Sequence, residues 1–475
     1  MTTPMPAGPT PSPTGTGLAV AVHPDPEGTV VRVAWTLDGG VAARWGAAPD
    51  LEVAGYDVWV CLEDLCIPWN TDGKLWTRDF LDVPAGIVAQ SVSIALRLQL
   101  VVEWTDGTRS EAISAPFVVP PMYAVTASTD WTMGPVEVLV DNEERRRHGL
   151  AYWPDGSIGF ASLGGTTYGF ASNGPRCSRW RVDTGRFLGE LLQVAEPIRD
   201  IDPTLSYASG NSVWVDPPTG TVLMFFHEEI HPGGDELRFW GAIGLAISRD
   251  EGASFTSLGR IICPNIAADA PQRVALTEVG GAPFMIRDGV FHVYFKETLA
   301  SGRALNMSVA RADVREVLDG ALRGEVVPWS KFRDDRWDEP GIGGVASELF
   351  PDAPTTRWFD LVHLVDHDRY VMVCSDGMAD EWSYLIRTSV DGISWSDPTQ
   401  VGETESSGEL LYLSLAATDL RTPHTARGDE VHLYRTRSAT GGTRRWDDAA
   451  VERRVLRFDP ATAPEDVDDP ISGDL

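Results

Sequence analysis

Ala282-Pro283-Phe284-Met285-Ile286-Arg287-Asp288-Gly289-Val290-Phe291-His292-Val293-Tyr294-Phe295 is the stretch that decides how this chain is read. Two apolar runs of strand length flank Arg287-Asp288-Gly289. A turn of that composition reverses the chain, because Asp bonds its own backbone and Gly accepts a positive φ. The stretch is therefore a β-hairpin, and it recurs along the chain. Further copies span 149–161 around Pro154-Asp155-Gly156, 212–226 around 216–220, 359–374 around Asp366-His367-Asp368, and 411–434 around a longer loop ending in Gly428-Asp429-Glu430. A second, weaker pair of strands follows some hairpins, as at 241–247 with 257–262, and at 384–389 with the strand after Asp397-Pro398. Four strands per unit and five units predict a five-bladed β-propeller over residues 120–460, whose radial closure hides the sheet edges. Residues 136–140 offer the strand that closes the last blade.

Composition supports an all-β protein. The 475 residues include 46 Gly, 33 Pro and 17 Trp, a surplus of turn formers and large aromatics that favours many short strands over long helices. A formal net charge of -30 argues against a nucleic-acid binder that works by neutralising phosphates. The longest uncharged stretch, 112–129, is broken by Pro116, Pro120 and Pro121, so no membrane insertion is expected. Residues 1–17 read as a flexible Pro/Thr-rich tether without the apolar core of a secretory signal, and residues 461–475 as an acidic tail. The five cysteines are too few for a disulfide scaffold and lack paired zinc spacing. Cys61 and Cys66 are near enough for one local disulfide, or are two buried thiols.

Residues 18–119 hold strand-like segments at 30–35, 56–60, 88–96, 97–104 and 112–119, with room for about seven strands, and predict a β-sandwich. The Trp35 strand, Tyr56-Asp57-Val58-Trp59-Val60, and 98–104 followed by Asp106-Gly107-Thr108-Arg109-Ser110 resemble a fibronectin type III module in order and spacing. That family's tyrosine in the penultimate strand is replaced by Leu98 or Leu100, which leaves an immunoglobulin-like sandwich of another lineage open. The resemblance implies a spacer or docking unit without catalysis.

Ser248-Arg249-Asp250-Glu251-Gly252-Ala253-Ser254-Phe255 fits the Asp-box pattern S-x-D-x-G-x-x-aromatic, and Ser389-Val390-Asp391-Gly392-Ile393-Ser394-Trp395 is one residue shorter. Its physics is that of a turn, in which Asp accepts backbone N–H bonds and the aromatic plugs the hairpin, so it marks blade architecture and no active site. With these turns, residues 241–250, 329–332 with 337–344, 369–373 and 388–395 resemble the five-bladed glycoside hydrolase superfamily of families 32, 43 and 62, and sialidase-type blades, over roughly residues 130–460. The resemblance implies an acid, a base and a third carboxylate around the axis on one face. The Asp-Pro that opens that family's first inner strand has no counterpart in Gly149 to Trp153.

If each inner strand runs away from the binding face and its partner returns, strand starts and returning ends share that face. This geometry selects Glu229, Glu278 and Asp360 as catalytic carboxylates, with Glu228, Glu297 and Asp376 as further candidates and Glu348 added from a loop that can fold over the same face. Glycoside hydrolysis needs two carboxyls about 5–5.5 Å apart for retention or about 6.5–9.5 Å for inversion. The alternative for each is a solvated loop acid, in a chain with 69 of them. Trp153, Trp214, Tyr294 and Tyr412 can stack on sugar rings or pack blade against blade. His363 and Arg435 can hydrogen-bond a glycan or serve the fold. His227 and His231 form no metal pattern, and no cofactor is expected. Calcium held by acidic loops is compatible with such propellers, although no EF-hand-like spacing is present.

The expected function is a glycan-recognising, glycosidase-like propeller acting at a cell surface. A sandwich module, an acidic propeller and no visible signal suit a virion component, such as a phage minor tail protein that binds or trims host envelope carbohydrate. Its N-terminal region would face other tail proteins, and its location would be the virion or the extracellular space. The alternative is a free-standing glycoside hydrolase acting on a plant or microbial polysaccharide.

Overall fold

The computed structural model describes residues 18–24, 30–37, 52–62, 65–68, 80–84 and 94–119, and residues 123–459 except 175, 184–185, 195–197, 201–206, 232–238, 269–275, 278, 300–303, 352–355, 379–380, 407 and 441–444. The tether 1–17 and the tail 461–475 lie outside them. The regular structure of the described residues is nearly all β, in an immunoglobulin-like sandwich and a five-bladed propeller.

In the sandwich, a sheet of Leu18–Pro24, Val30–Leu37 and Phe80–Pro84 faces one of Leu65–Pro68, Val53–Leu62, Ile94–Trp104 and Arg109–Ile113, each in that spatial order. Leu96, Leu98, Leu100, Val102 and Trp104 are all buried, the period-2 pattern of a strand with one face on the core. They meet Val33 and Trp35 of the other sheet, and Trp35 stands edge-on to Tyr56 at 5.6 Å. Cys61 and Cys66 lie opposite each other across a tight hairpin and are joined by a disulfide, which decides between the two readings above.

The propeller's first blade contains Gly159–Leu163, Thr166–Asn173, Arg176–Asp183 and Arg186–Val194. The second contains Tyr207–Val215, Val222–Ile230, Phe239–Ser248 and Thr256–Ile262. The third is built from Val279–Arg287, Val290–Thr298, Ala304–Asp313 and Ser330–Arg333, extended by Arg336–Pro340. The fourth is Arg357–Leu364, Arg369–Met378, Glu381–Ser389 and Thr399–Glu405. The fifth takes Glu409–Ala417, Glu430–Ser438 and Ala450–Phe458 from the end of the propeller. Its outer edge is completed by Trp131–Met133 and Glu137–Val140, which precede the first blade and pair antiparallel with Ala450–Phe458.

The first hairpin differs from the expectation. It spans 159–173 and turns on Gly164 and Gly165, both at positive φ, whereas 149–158 form no strand pair. The reason is packing. Leu150 and Trp153 are buried, and the Ile158 N–H donates to Ser414 Oγ of the fifth blade at 2.7 Å, so Pro154-Asp155-Gly156 crosses toward the axis instead of tipping a hairpin.

The two Asp-centred turns join the third and fourth strands of the second and fourth blades. Asp250 Oδ1 accepts the Ser254 N–H at 2.9 Å, and Asp391 Oδ1 accepts those of Ile393 and Ser394 at 2.8 and 2.7 Å. Each aromatic wedges against the preceding blade, Phe255 edge-on to Phe170 and Trp395 edge-on to Tyr294. Further aromatics fill the seams between blades, as where Phe225 of the second blade meets Phe284 and Phe291 of the third.

Four of the five inner strands carry an irregular register in their first half, between Gly210 and Ser212, Gly281 and Phe284, Arg357 and Phe359, and Leu411 and Ser414. A bulge bends a strand and re-aims its side chains. Two of these put bulky residues in the left-handed region, Trp358 at φ 32° and Tyr412 at φ 49°, a strained conformation that surrounding structure must hold. All four lie toward the same end of the ring.

Candidate active site

Asp155 stands just ahead of the first inner strand, half-buried at the mouth where the inner strands begin. Its backbone is fixed on both sides, with its N–H donating to Ser172 O at 2.9 Å and its carbonyl accepting from Ser209 Oγ at 3.0 Å. Two phenols grip the carboxylate, Tyr207 donating to Oδ2 at 2.7 Å and Tyr412 to Oδ1 at 2.8 Å. Burial, with the adjacent carboxylate, pushes both phenols far above the usual range, so they stay protonated donors. The acid itself is raised, chiefly by burial and further by the Glu229 charge, against the lowering effect of the phenols and Arg445.

Glu229 reaches the same place from the returning strand of the second blade, opposite Tyr207 in register. The pattern His227-Glu228-Glu229-Ile230-His231 sends 227, 229 and 231 to one side. Nε2 of His227 donates to one carboxylate oxygen at 3.1 Å and Nε2 of His231 to the other at 2.7 Å. Burial alone would raise this acid. The hydrogen bonds and charge of the two imidazoles outweigh it and hold Glu229 at about 2.

The wall of the mouth is aromatic. Trp358 packs on Tyr412 with centroids 4.5 Å apart, Trp446 lies within 13° of parallel to Tyr412 at 6.2 Å, and Tyr152 meets Trp446 edge-on. Arg445 approaches Glu409 at 3.7 Å. The arrangement offers two carboxylates of opposite tuning beside flat apolar rings, chemistry suited to a ligand with C–H faces and an acid-labile bond.

Of the residues selected from sequence, Glu229 and Tyr412 meet at this mouth and Glu278 lies outside the described residues. Asp360 does not join them. The fourth inner strand begins at Arg357, so Asp360 falls mid-strand and faces the axis, its Oδ1 accepting the Leu361 N–H and its Oδ2 the Leu415 N–H, both at 2.8 Å. It lines a small axial cavity of about 10 Å³ with Ser157, Phe284 and His424, near the lower limit for one water. Burial there pushes its pKa up to about 7 and that of His424 down to about 4.

The other candidates serve the fold. Glu228 points to the opposite side of its strand and pairs with Arg260. Glu297 is buried against Lys331 Nζ at 2.7 Å, and Glu348 accepts the Asn306 N–H at 2.6 Å. Asp376 is fully buried, opposite Ser383 in the strand pair. Trp153 is buried, donates to Ser178 Oγ at 2.8 Å and stands edge-on to Trp180, while Trp214 packs edge-on to Phe291 between blades. Tyr294 donates to Gly392 O at 2.7 Å. His363 stacks on Tyr370 toward the other end of its strand, and Arg435 is buried between Glu405 and Glu452. Among the described residues, no group of three or more His, Cys, Asp or Glu is arranged to hold a metal ion.

Sequence reasoning missed Asp155, Tyr207, Trp358, Arg445 and Trp446. The usable signal for Asp155 was its place directly ahead of the first inner strand, which Pro154 and Gly156 disguised as a hairpin tip.

No family model and no curated protein matches the chain. Solved structures similar to it include glycoside hydrolases. A thermostable family-43 glycoside hydrolase aligns at TM-score 0.39 and 12% identity, over 72% of this chain and 98% of its own. The α-L-arabinofuranosidase PaAbf62A from Podospora anserina, in complex with cellotriose, aligns at 0.38 and 10%, over 70% and 99%. The family-32 β-fructofuranosidase BmSUC1 of Bombyx mori aligns at 0.36 and 11%, over 66% and 64%.

Proposed function

We propose that this chain is a carbohydrate-processing propeller whose axial mouth hydrolyses a glycosidic bond with Asp155 and Glu229. The observation that carries the reading is the opposite tuning of two neighbouring carboxyls, Asp155 raised and Glu229 held at about 2. Such a split assigns an acid and a base. Asp155 gives its proton to the leaving glycosidic oxygen as the C–O bond breaks. Glu229, ionised, either takes the proton of the attacking water or attacks the anomeric carbon itself, the resulting ester then being hydrolysed by a water whose proton goes to the ionised Asp155. Tyr207 and Tyr412 orient the acid, and Trp358, packed on Tyr412, offers its face to the sugar at the bond that is cleaved. The substrate class is a neutral glycan from a polymer or a cell envelope, because a chain of net charge -30 repels anionic polymers.

Release of reducing sugar from arabinan, xylan, β-1,3-galactan, fructan and bacterial wall glycans tests the proposal. Glu229→Gln and Asp155→Asn are each expected to lower turnover by about 10²–10⁴. No turnover by the unaltered protein across the panel, or turnover indifferent to both substitutions, would refute it.

We further infer a setting at an extracellular surface, as part of a virion tail. What supports it is the order of a Pro/Thr-rich stretch, a spacer-like sandwich and then the propeller. Co-sedimentation with phage particles is the expected result, and recovery solely as a free monomer in culture medium would count against it.

A further inference from the structure

The rim of the mouth carries aromatic residues that the carboxylate pair does not require. Tyr152 stands three residues before Asp155, and 55% of its surface is exposed. Its ring meets Trp446 at 6.2 Å and 81°, and Trp446 in turn lies beside Tyr412, whose phenol binds Asp155. A path of rings from separate segments thus leads from solvent to the acid.

That rim is held from beneath. Arg145, in the short helix Asn142–Arg147, is 1% exposed. Its guanidinium donates to Leu150 O at 2.8 Å, to Ala151 O at 2.6 Å, to Asn142 Oδ1 at 2.8 Å and to the carbonyl of Trp446. It also lies 5.9 Å from the centroid of the Trp446 ring. Burying a guanidinium is costly unless its hydrogen bonds are made. Here all but that of Nε are made, and they go to the two residues before Tyr152, to Asn142 and to Trp446 itself. The far side of the Trp446 loop is pinned as well, with Asp448 accepting from Ser438 Oγ at 2.8 Å and the Asn142 amide donating to Asp447 O at 2.6 Å. Two partly exposed rings on a rigid mount lose little entropy when a flat apolar face docks on them.

We propose that Tyr152 and Trp446 form a saccharide-stacking subsite for a neutral sugar unit outside the bond that is cleaved, and that Arg145 is its positioning residue. This subsite rests on the glycan-processing function proposed above. It acts on chain binding and leaves the chemical step to Asp155 and Glu229.

The test uses the full chain with arabino-, xylo- and β-1,3-galacto-oligosaccharides of two to six units, beside the matching p-nitrophenyl monosaccharides. Trp446→Ala and Tyr152→Ala are expected to raise KM for the longer oligosaccharides about tenfold or more, as loss of a stacking contact would. Turnover of the p-nitrophenyl glycosides should stay within about twofold. Arg145→Lys should show the same split between KM and kcat, and if it unfolds the protein, the two surface variants still decide. Equal loss on short and long substrates, or no loss on either, overturns the subsite while leaving the hydrolytic function standing. Titration of intrinsic fluorescence with the same oligosaccharides separates the two claims further. Binding that survives in Asp155→Asn and is lost in Trp446→Ala supports the subsite, and an unaltered protein that neither binds nor cleaves any of them overturns both.

Discussion

Asp360 makes the sharpest thermodynamic prediction. An unfolded aspartate titrates near 3.8, whereas burial at the axial cavity pushes the folded group up to about 7. Between those values the native state keeps a proton that the unfolded chain has lost, so stability falls as pH rises through the window and levels off above about pH 7. Each unit is worth about 1.36 kcal/mol, so the whole window is worth about 4 kcal/mol, and the part between pH 5 and pH 7 about 2.7 kcal/mol. In Asp360→Asn this slope disappears. The variant also leaves one of two backbone N–H donors, Leu361 or Leu415, without a carboxylate oxygen, a fixed cost of about 1–3 kcal/mol at every pH. Urea unfolding followed by circular dichroism at pH 5, 6, 7 and 8 measures both. The unaltered protein should lose about 3 kcal/mol more than the variant between pH 5 and pH 8. His424, pushed down to about 4, is linked to folding between that value and the ordinary histidine value of 6.5 with the opposite sign, but it is common to both proteins and drops out of their difference, and Glu229, at about 2, titrates below pH 5 in both states. Curves that stay parallel within about 0.5 kcal/mol would show that Asp360 is ionised throughout, and would refute the desolvation of its carboxyl on which the reasoning stands.

Lys331→Met should cost about 3–5 kcal/mol by urea unfolding, because it strands the buried Glu297 carboxyl along with two carbonyls, Cys263 O and Gly344 O. The double variant Lys331→Met with Glu297→Met should recover much of that loss, and a single-variant cost below about 1 kcal/mol would contradict the pairing. Phe255→Ala should cost about 3–5 kcal/mol, since the ring is buried against Phe170 of the neighbouring blade, and calorimetry reads it as a lowered Tm. The pH profile of kcat/KM should show no acid limb above about pH 4, because Glu229 remains ionised there, and an alkaline limb above the ordinary aspartate range where Asp155 loses its proton. An acid limb at the usual glutamate value would break the assignment of Glu229 as the base.

The architecture was legible where local chemistry and burial agree. Hairpins at 282–295 and 359–374 announce themselves through Asp-containing tips between apolar runs, and the closing strand within 136–140 through its apolar run. The site was legible only in part, because its members are assembled by departures from those patterns. Glu229 emerged from the rule that returning strand ends face the mouth. Asp360 failed the same kind of rule because its strand starts at Arg357, two residues before the hairpin read from sequence, and the bulge between Arg357 and Phe359 sets which side faces inward. Tyr207 lies ahead of a bulge between Gly210 and Ser212 that interrupts the alternation, and Trp446 sits in a turn without periodicity, held by an arginine some 300 residues away. No local pattern in a sequence encodes contacts of that range.

The joining of the propeller's two ends has a kinetic consequence. Asp155 and the Tyr412 phenol that orients it are 257 residues apart, and the fifth blade is complete only when Ala450–Phe458 pairs with strands made more than 300 residues earlier. Contacts of such separation make folding slow, because loop-closure entropy is lost before the pairing compensates for it. During synthesis the early strands Trp131–Met133 and Glu137–Val140 must therefore wait for the last strand to leave the ribosome. A catalytic signal from this chain would accordingly report that the ring has shut, and chain-terminated fragments lacking 450–458 would be expected to carry four blades and no assembled acid.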